Sequence, residues 1–208
     1  MSRCVIIGGA TIARYEDIKK YLRQGDFHIF CDNGLRHVEG LGVEPDLIIG
    51  DFDSHEAPEL PVETIFLPRA KDDTDSVYAV KEALKRGFED FLLLGVIGER
   101  IDHSLGNLSI LLKLDSLGKR GLIVDDYSEM EIVSHSPALV GPEFPFFSLL
   151  NISGTARGIT VENAKFPLED SEIDCEYQYG VSNEPLSGMS ARISVKEGRL
   201  LLVKVRRD

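Results

Sequence analysis

The chain has 208 residues, 43% of them hydrophobic and 28% charged, a globular composition with enough apolar material for one large domain or two small ones. A formal net charge of −12 and a pI near 4.9, with no run of Lys and Arg to override them, exclude nucleic acid and other polyanions as partners. The three cysteines, Cys4, Cys31 and Cys175, lack CxxC spacing, and no apolar run approaches the ~18 residues a membrane helix needs, so the expectation is a cytoplasmic protein without a disulfide framework, a zinc site or a membrane span.

In chain order, "CVIIGG", "FHIFCD", "LIIGD", "TIFLP", "FLLLGV" and "GLIVDD" are apolar runs too short for buried helices, and they read as strands covered on both faces. Helix-period segments lie between them. "SVYAVKEALKRGF" puts Val77, Val80, Ala83, Leu84 and Phe88 on one stripe, and "HSLGNLSILLKLDSLG" does so with Leu105, Leu108, Leu111 and Leu112 before a capping Gly118. This alternation predicts a mainly parallel α/β sheet. After about Val133 the pattern changes: "SHSPALVGPEFPF", with three prolines, reads as a linker, and "FFSLLNIS", "GITVENA", "ARISV" and "RLLLVKV" read as strands, the last two joined by "KEG" as a hairpin. The fold expected is an α/β domain with a mainly parallel sheet over residues 1–136, followed by a smaller antiparallel β domain over 137–208.

Strands of a parallel sheet open their C-termini on one edge, where ligands bind. Acids follow four successive strands here: Asp32 with Asn33 and Gly34, then Asp51 and Asp53, then Asp72, Asp73 and Asp75, then Asp102 with His103. Any single one of these is explained as a helix cap, and Thr74 or Asp75 directly precedes a helix. Their convergence on one rim is not. Clustered carboxylates repel one another unless a cation neutralises them, and an all-oxygen set suits Mg²⁺ that keeps water and bridges phosphates. Arg69, Lys71 and Arg100 lie in the same loops as positive partners. Gly8-Gly9 after the first strand offers either amides for an anion or a plain tight turn, since it lacks the spacing of a P-loop or a dinucleotide fingerprint. His103 is open as a base or a structural residue, and Asn107 as a loop anchor or a ligand contact.

"PDLIIGDFDS", "KDDTDSVYAV" and "GVIGERIDHSLGNLSIL", in that order, closely resemble the motifs of the thiamine pyrophosphokinase family. "YGVSNEPLSGMSARISVKEGRLLLV" resembles its thiamine-side signature, in which a Ser-Asn pair precedes the last hairpin. The resemblance implies a Mg²⁺-dependent enzyme that transfers a pyrophosphoryl group from ATP to the thiamine hydroxyl, giving thiamine diphosphate and AMP. It further implies a homodimer with thiamine in a cleft where subunits meet, residues 1–136 forming the ATP and Mg²⁺ domain and 137–208 a β-sandwich that binds thiamine. Carried over by position, Asp51, Asp53, Asp72 and Asp75 fall on the metal and phosphate acids, Arg100, Asp102 and Asn107 on the third motif, and Ser182 and Asn183 on the thiamine side. Asp32, Asn33, Lys71, Thr74 and His103 complete the expected set around the substrates.

In-line attack on the β-phosphorus needs positioning and charge neutralisation. Asp53, Asp75, Arg100 and Asp102 are the expected catalytic residues, with Asp102 or Asp75 taking the hydroxyl proton. Two departures stand out: Glu99 occupies a position where the family usually has glycine, and Asn33 precedes Gly34 where two glycines are common. Glu99 motivates an alternative, a related Mg²⁺-dependent phosphotransferase with a different alcohol acceptor. A thiamine-binding protein without turnover is a second.

Overall fold

The computed structural model describes residues 3–52, 61–68 and 72–206. The chain divides into two compact units, 1–126 and 127–208. The division falls upstream of the proline-rich segment, whose prolines flank strands inside the second unit.

In the first unit, β1 (Cys4–Ile7), α1 (Tyr15–Lys19) and β2 (Phe27–Cys31) are followed by a 3-10 helix (Asp32–His37) that runs into α2 (Val38–Leu41). Then come β3 (Leu47–Gly50), β4 (Glu63–Phe66), α3 (Asp75–Lys85), β5 (Asp90–Leu94), α4 (Ile101–Ser116) and β6 (Arg120–Val124). The described strands lie in the order β4-β3-β2-β1-β5-β6, and every pairing is parallel. The expected parallel α/β sheet is therefore present. Every residue of β1 and β3 is buried, which is why these strands read as unbroken apolar runs rather than alternating ones. The chain builds outward from β1 to β4 and then returns to β5 on the other side of β1, so the order reverses between β1 and β5. A crevice opens at the C-terminal ends of strands at such a point.

The helices differ from expectation in detail. Thr74 caps α3, its hydroxyl accepting from the Val77 amide at 3.4 Å, and Val80 and Ala83 face the core with Ala79. α4 starts at Ile101 and buries Ser104, Asn107, Ile110, Leu111 and Leu114, while Leu105, expected on the buried stripe, is exposed. Two polar side chains occupy the inner face of its first turns because loop backbone rather than core lies opposite them. Gly118, with φ of 66°, ends this helix as expected.

Arg3 and Asp26 form an ion pair at 2.6 Å with side chains only 8% and 3% exposed, and Arg3 also donates to Tyr21 O. Burial pushes the Asp26 carboxyl up, but hydrogen bonds from the Arg3 side chain and the Arg23 amide, with the Arg3 charge, hold it below the usual aspartate range. Losing one partner strands the other charge, so Asp26→Asn should lower the unfolding free energy by about 3 kcal/mol, measured by urea denaturation at pH 7. Because the folded-state value is depressed, the pair's contribution is complete above the ordinary carboxylate range near pH ~4 and disappears as pH falls through the folded value. An unchanged denaturation midpoint in Asp26→Asn would refute this.

The second unit is all β: β7 (Ser128–Val133), β8 (Ala138–Val140), β9 (Phe146–Leu150), β10 (Thr155–Glu162), β11 (Leu168–Asp174), β12 (Ala191–Ser194) and β13 (Leu200–Val205). β7-β13-β9 pair antiparallel, as do β11-β10-β12-β8. Phe147, Leu149, Leu200 and Leu202 from the first set pack with Val140, Ala156, Ile159 and Ile193 from the second, making the expected antiparallel sandwich. The "KEG" hairpin does not form. β12 and β13 lie in different sheets, because Glu197 spends its backbone on Arg157 of β10 at 2.9 and 3.1 Å and the chain crosses between sheets there. β7 escaped sequence reading because Glu129 and Glu131 interrupt it; Lys204 of β13 meets both, at 3.4 and 2.6 Å. No described helix is long and apolar enough to cross a membrane.

Candidate active site

A cavity of about 580 Å³ opens at the C-terminal edge of the first unit's sheet, where the strand order reverses. Its volume lies within the roughly 300–1,000 Å³ typical of small-molecule sites. Five chain segments form its walls.

Gly8, Gly9 and Ala10 follow β1. The Gly8 amide donates to Leu94 O and the Ala10 amide to Gly95 O, both at 2.8 Å. A Cβ on Gly8 would stand 2.5 Å from Gly95 O, so glycine is needed here for two turns to run in contact. Of the two sequence readings, the tight turn accounts for Gly8, and the amides of Gly8 and Ala10 are committed to Leu94 at the end of β5 and to Gly95 just after it rather than to an anion.

After β2 come Asp32, buried and left-handed at φ 26°, and the exposed Asn33. After β3 comes Asp51, while Phe52 turns away and packs on Phe66 with ring centroids 5.4 Å apart. A Cβ on Gly50 would meet Asp32 Cβ at 2.9 Å, so the absence of a side chain there lets the two acid-bearing strand ends lie together. The start of α3 supplies Thr74, Asp75 and Ser76, and the β5–α4 segment supplies Val96, Gly98, Glu99, Arg100, His103, Ser104 and Asn107.

The structure thus brings Asp32, Asn33, Asp51, Thr74, Asp75, Arg100, His103 and Asn107 to one cavity. Asp72 is exposed and is not among the lining residues. Asp53 and Lys71, with Arg69, lie outside the described residues. Asp102 is also off the wall, gripped by Arg100 through two hydrogen bonds of 2.9 and 2.6 Å that hold its carboxyl far below the carboxylate range. Such a carboxylate is a weak base, so the pairing suits Asp102 to orienting Arg100. Asn107 donates to Val96 O at 2.7 Å and Ser104 bonds both Gly98 N and Gly98 O, so these inner-face polar residues anchor the β5–α4 loop. Of the two readings left open for Asn107, the loop anchor is the one its bond to Val96 O supports, and Ser104 carried no expectation from sequence.

Ser182 and Asn183 belong to the second unit. Ser182 is exposed with φ 57°, and buried Asn183 spends its side-chain amide on both backbone groups of Phe166, at 2.7 and 3.0 Å.

Glu99 faces the cavity. Its own amide first, then the Thr11 hydroxyl and the nearby Arg36 charge, keep its carboxyl below the usual glutamate range.

The oxygen-only donors Asp32, Asp51 and Asp75 suit a hard cation such as Mg²⁺. Among the described residues no three His, Cys, Asp or Glu side chains stand close enough to hold an ion by themselves, so an ion here would complete its shell with water and phosphate oxygens.

The family model for "Thiamin pyrophosphokinase, catalytic domain" matches residues 18–122, half of the chain, and that for "Thiamin pyrophosphokinase, vitamin B1 binding domain" matches residues 131–200. The chain belongs to the thiamine pyrophosphokinase family. The gap between the two matches contains the division after Asp126. The thiamine pyrophosphokinase of Bacillus subtilis is 23% identical over 211 residues, covering 96% of each chain. A crystal structure of thiamine pyrophosphokinase from Bacillus subtilis superposes with a TM-score of 0.88 at 22% identity over the whole of both chains. That of Candida albicans thiamin pyrophosphokinase gives 0.75 at 12% identity, covering 98% of this chain and 88% of the other. At these identities the superpositions establish a shared two-part fold. Members of the thiamine pyrophosphokinase family are enzymes that make thiamine diphosphate with ATP as co-substrate, and neither the phosphotransferase with another acceptor nor the binding protein without turnover finds support among these matches.

Proposed function

We propose that this chain is a Mg²⁺-dependent thiamine pyrophosphokinase of the cytoplasm, working as a homodimer, with residues of the first unit handling ATP and those of the second facing thiamine. The observation that carries the reading is that Asp51, Asp75 and Arg100, from three separate segments, meet on one cavity at the switch point of the sheet.

The thiamine hydroxyl oxygen attacks the β-phosphorus of ATP, the bond to the bridging oxygen of the α-phosphate breaks, and AMP leaves with the electron pair. Asp51 and Asp75, with Asp53, are the residues that would hold Mg²⁺, which when bound neutralises phosphoryl oxygens. Arg100 stabilises the charge that builds on the transferring group and on AMP. Where Asp75 does not hold the ion, it is the acceptor of the hydroxyl proton, since Asp102 is engaged by Arg100. Asp32 and Asn33 form the wall that positions the nucleotide.

The test is an assay of purified protein with ATP, Mg²⁺ and thiamine that resolves AMP from ADP. AMP equal to the thiamine diphosphate formed supports the proposal; ADP, or AMP released without thiamine, overturns it.

Glu99 adds a negative charge to a cavity that must take a polyphosphate. Glu99→Gln keeps an acceptor for the Thr11 hydroxyl and removes the charge, so KM for ATP should fall about threefold with kcat little changed. An unchanged KM would separate Glu99 from the phosphates.

A further inference from the structure

The cavity wall formed by the β1 turn is held from behind by a buried polar chain. His37, at the end of the 3-10 helix that begins with Asp32, is 1% exposed. Its Nε2 lies 2.9 Å from Ala10 O and its Nδ1 2.8 Å from the Tyr15 hydroxyl. A carbonyl can only accept, so Nε2 carries the proton. Nδ1 must then accept, and the Tyr15 hydroxyl donates. The ring is fixed in one neutral tautomer, in keeping with burial, which pulls its pKa below the usual histidine value. Tyr15 has little freedom of its own: a Cβ on Gly40 of α2 would stand 2.3 Å from Tyr15 Cζ, so the phenol packs directly on that glycine.

The geometry spans two walls. One end of the 3-10 helix carries Asp32 and Asn33 on the cavity, and the other end grips Ala10 on the turn of the neighbouring strand β1. Ala10 is tied twice, its carbonyl to His37 and its amide to Gly95. We propose that His37, oriented by Tyr15, is a positioning residue that keeps the β1 turn in register with the Asp32–Asn33 strand end and so sets the shape of the nucleotide side of the cavity. This rests on the proposed function, which makes that cavity the ATP site. No sequence signal pointed to either residue, since Tyr15 and His37 are 22 residues apart and His37 and Ala10 are 27 apart.

The test compares His37→Leu, His37→Gln and Tyr15→Phe with wild type, measuring binding of ATP with Mg²⁺ by calorimetry, KM for ATP and for thiamine, and Tm. Loss of the bond to Ala10 O should weaken ATP binding and raise its KM about tenfold in His37→Leu, the scale of one buried hydrogen bond. KM for thiamine should stay unchanged. His37→Gln, whose amide nitrogen can still donate to Ala10 O, should return to within about threefold of wild type. If His37→Leu does not fold, Tyr15→Phe, which keeps the ring packing, carries the test with an expected rise of about threefold in KM for ATP. A folded His37→Leu, or Tyr15→Phe in its place, whose Tm falls while KM for ATP and ATP binding match wild type overturns the inference and leaves a packing role. Wild type that binds no ATP overturns the proposed function and this inference together.

Discussion

Asp75→Asn lowers the rate of thiamine-dependent AMP formation by about 10²–10³-fold, the scale of losing one preorganised electrostatic partner of a developing charge. Asp75 is the first residue of α3, half-buried on the cavity wall. Thr74, not Asp75, caps the helix, so asparagine at this position leaves the cap intact and weakens a favourable helix-dipole contact. Tm should therefore fall by no more than about 4 °C. Raising Mg²⁺ then separates two roles in one titration. Recovery of rate at high Mg²⁺ assigns Asp75 to holding the ion; a loss indifferent to Mg²⁺ assigns it to accepting the hydroxyl proton. Activity within about tenfold of wild type would remove Asp75 from the mechanism. Asp51→Asn, one strand end away, should lose comparable activity and respond to Mg²⁺ in the same assay.

The second large effect is an asymmetry within one ion pair. Arg100→Ala should lower kcat by about 10²-fold or more, because the guanidinium on the cavity wall is the described cation best placed to meet charge on the leaving AMP. Asp102→Asn should cost less than about tenfold, since Asp102 only steers Arg100 and lies off the wall. Both side chains are largely exposed, and an exposed pair contributes little to stability, so neither variant should unfold the protein. Steady-state kinetics on the two variants decides the matter. Equal losses would mean that the two act as one unit, and a larger loss at Asp102 would restore it as the base.

Much of the architecture was legible because its causes are local. Runs such as Leu47-Ile48-Ile49, too short for a buried helix and apolar on both faces, can only be strands inside a parallel sheet. Acids placed just after such runs must then arrive at a common edge, whatever the strand order. Local grammar misled where a distant partner changed the outcome. "KEG" has the composition of a hairpin turn, but Glu197 pairs with Arg157 and sends the chain into the other sheet. Leu105 fits the α4 stripe by period and yet faces outward, because Ser104 and Asn107 are claimed by the loop carbonyls of Gly98 and Val96.

What the amino-acid order determined by itself was the class of fold, the edge on which the chemistry gathers, and the set of oxygen ligands and cations available there. Strand period, burial on both faces and the position of acids after each run are properties of neighbouring residues. Tertiary structure alone decided which of those residues face the cavity: Asp75 does and Asp72 does not, Arg100 does and Asp102 is held aside, and Asn107 is spent on backbone. It also recruited Tyr15 and His37, which carry no motif. The physical reason is that a hydrogen bond or ion pair is specified by where its partner sits in space, and for a chain that folds back through six parallel strands that partner comes from a segment many residues away.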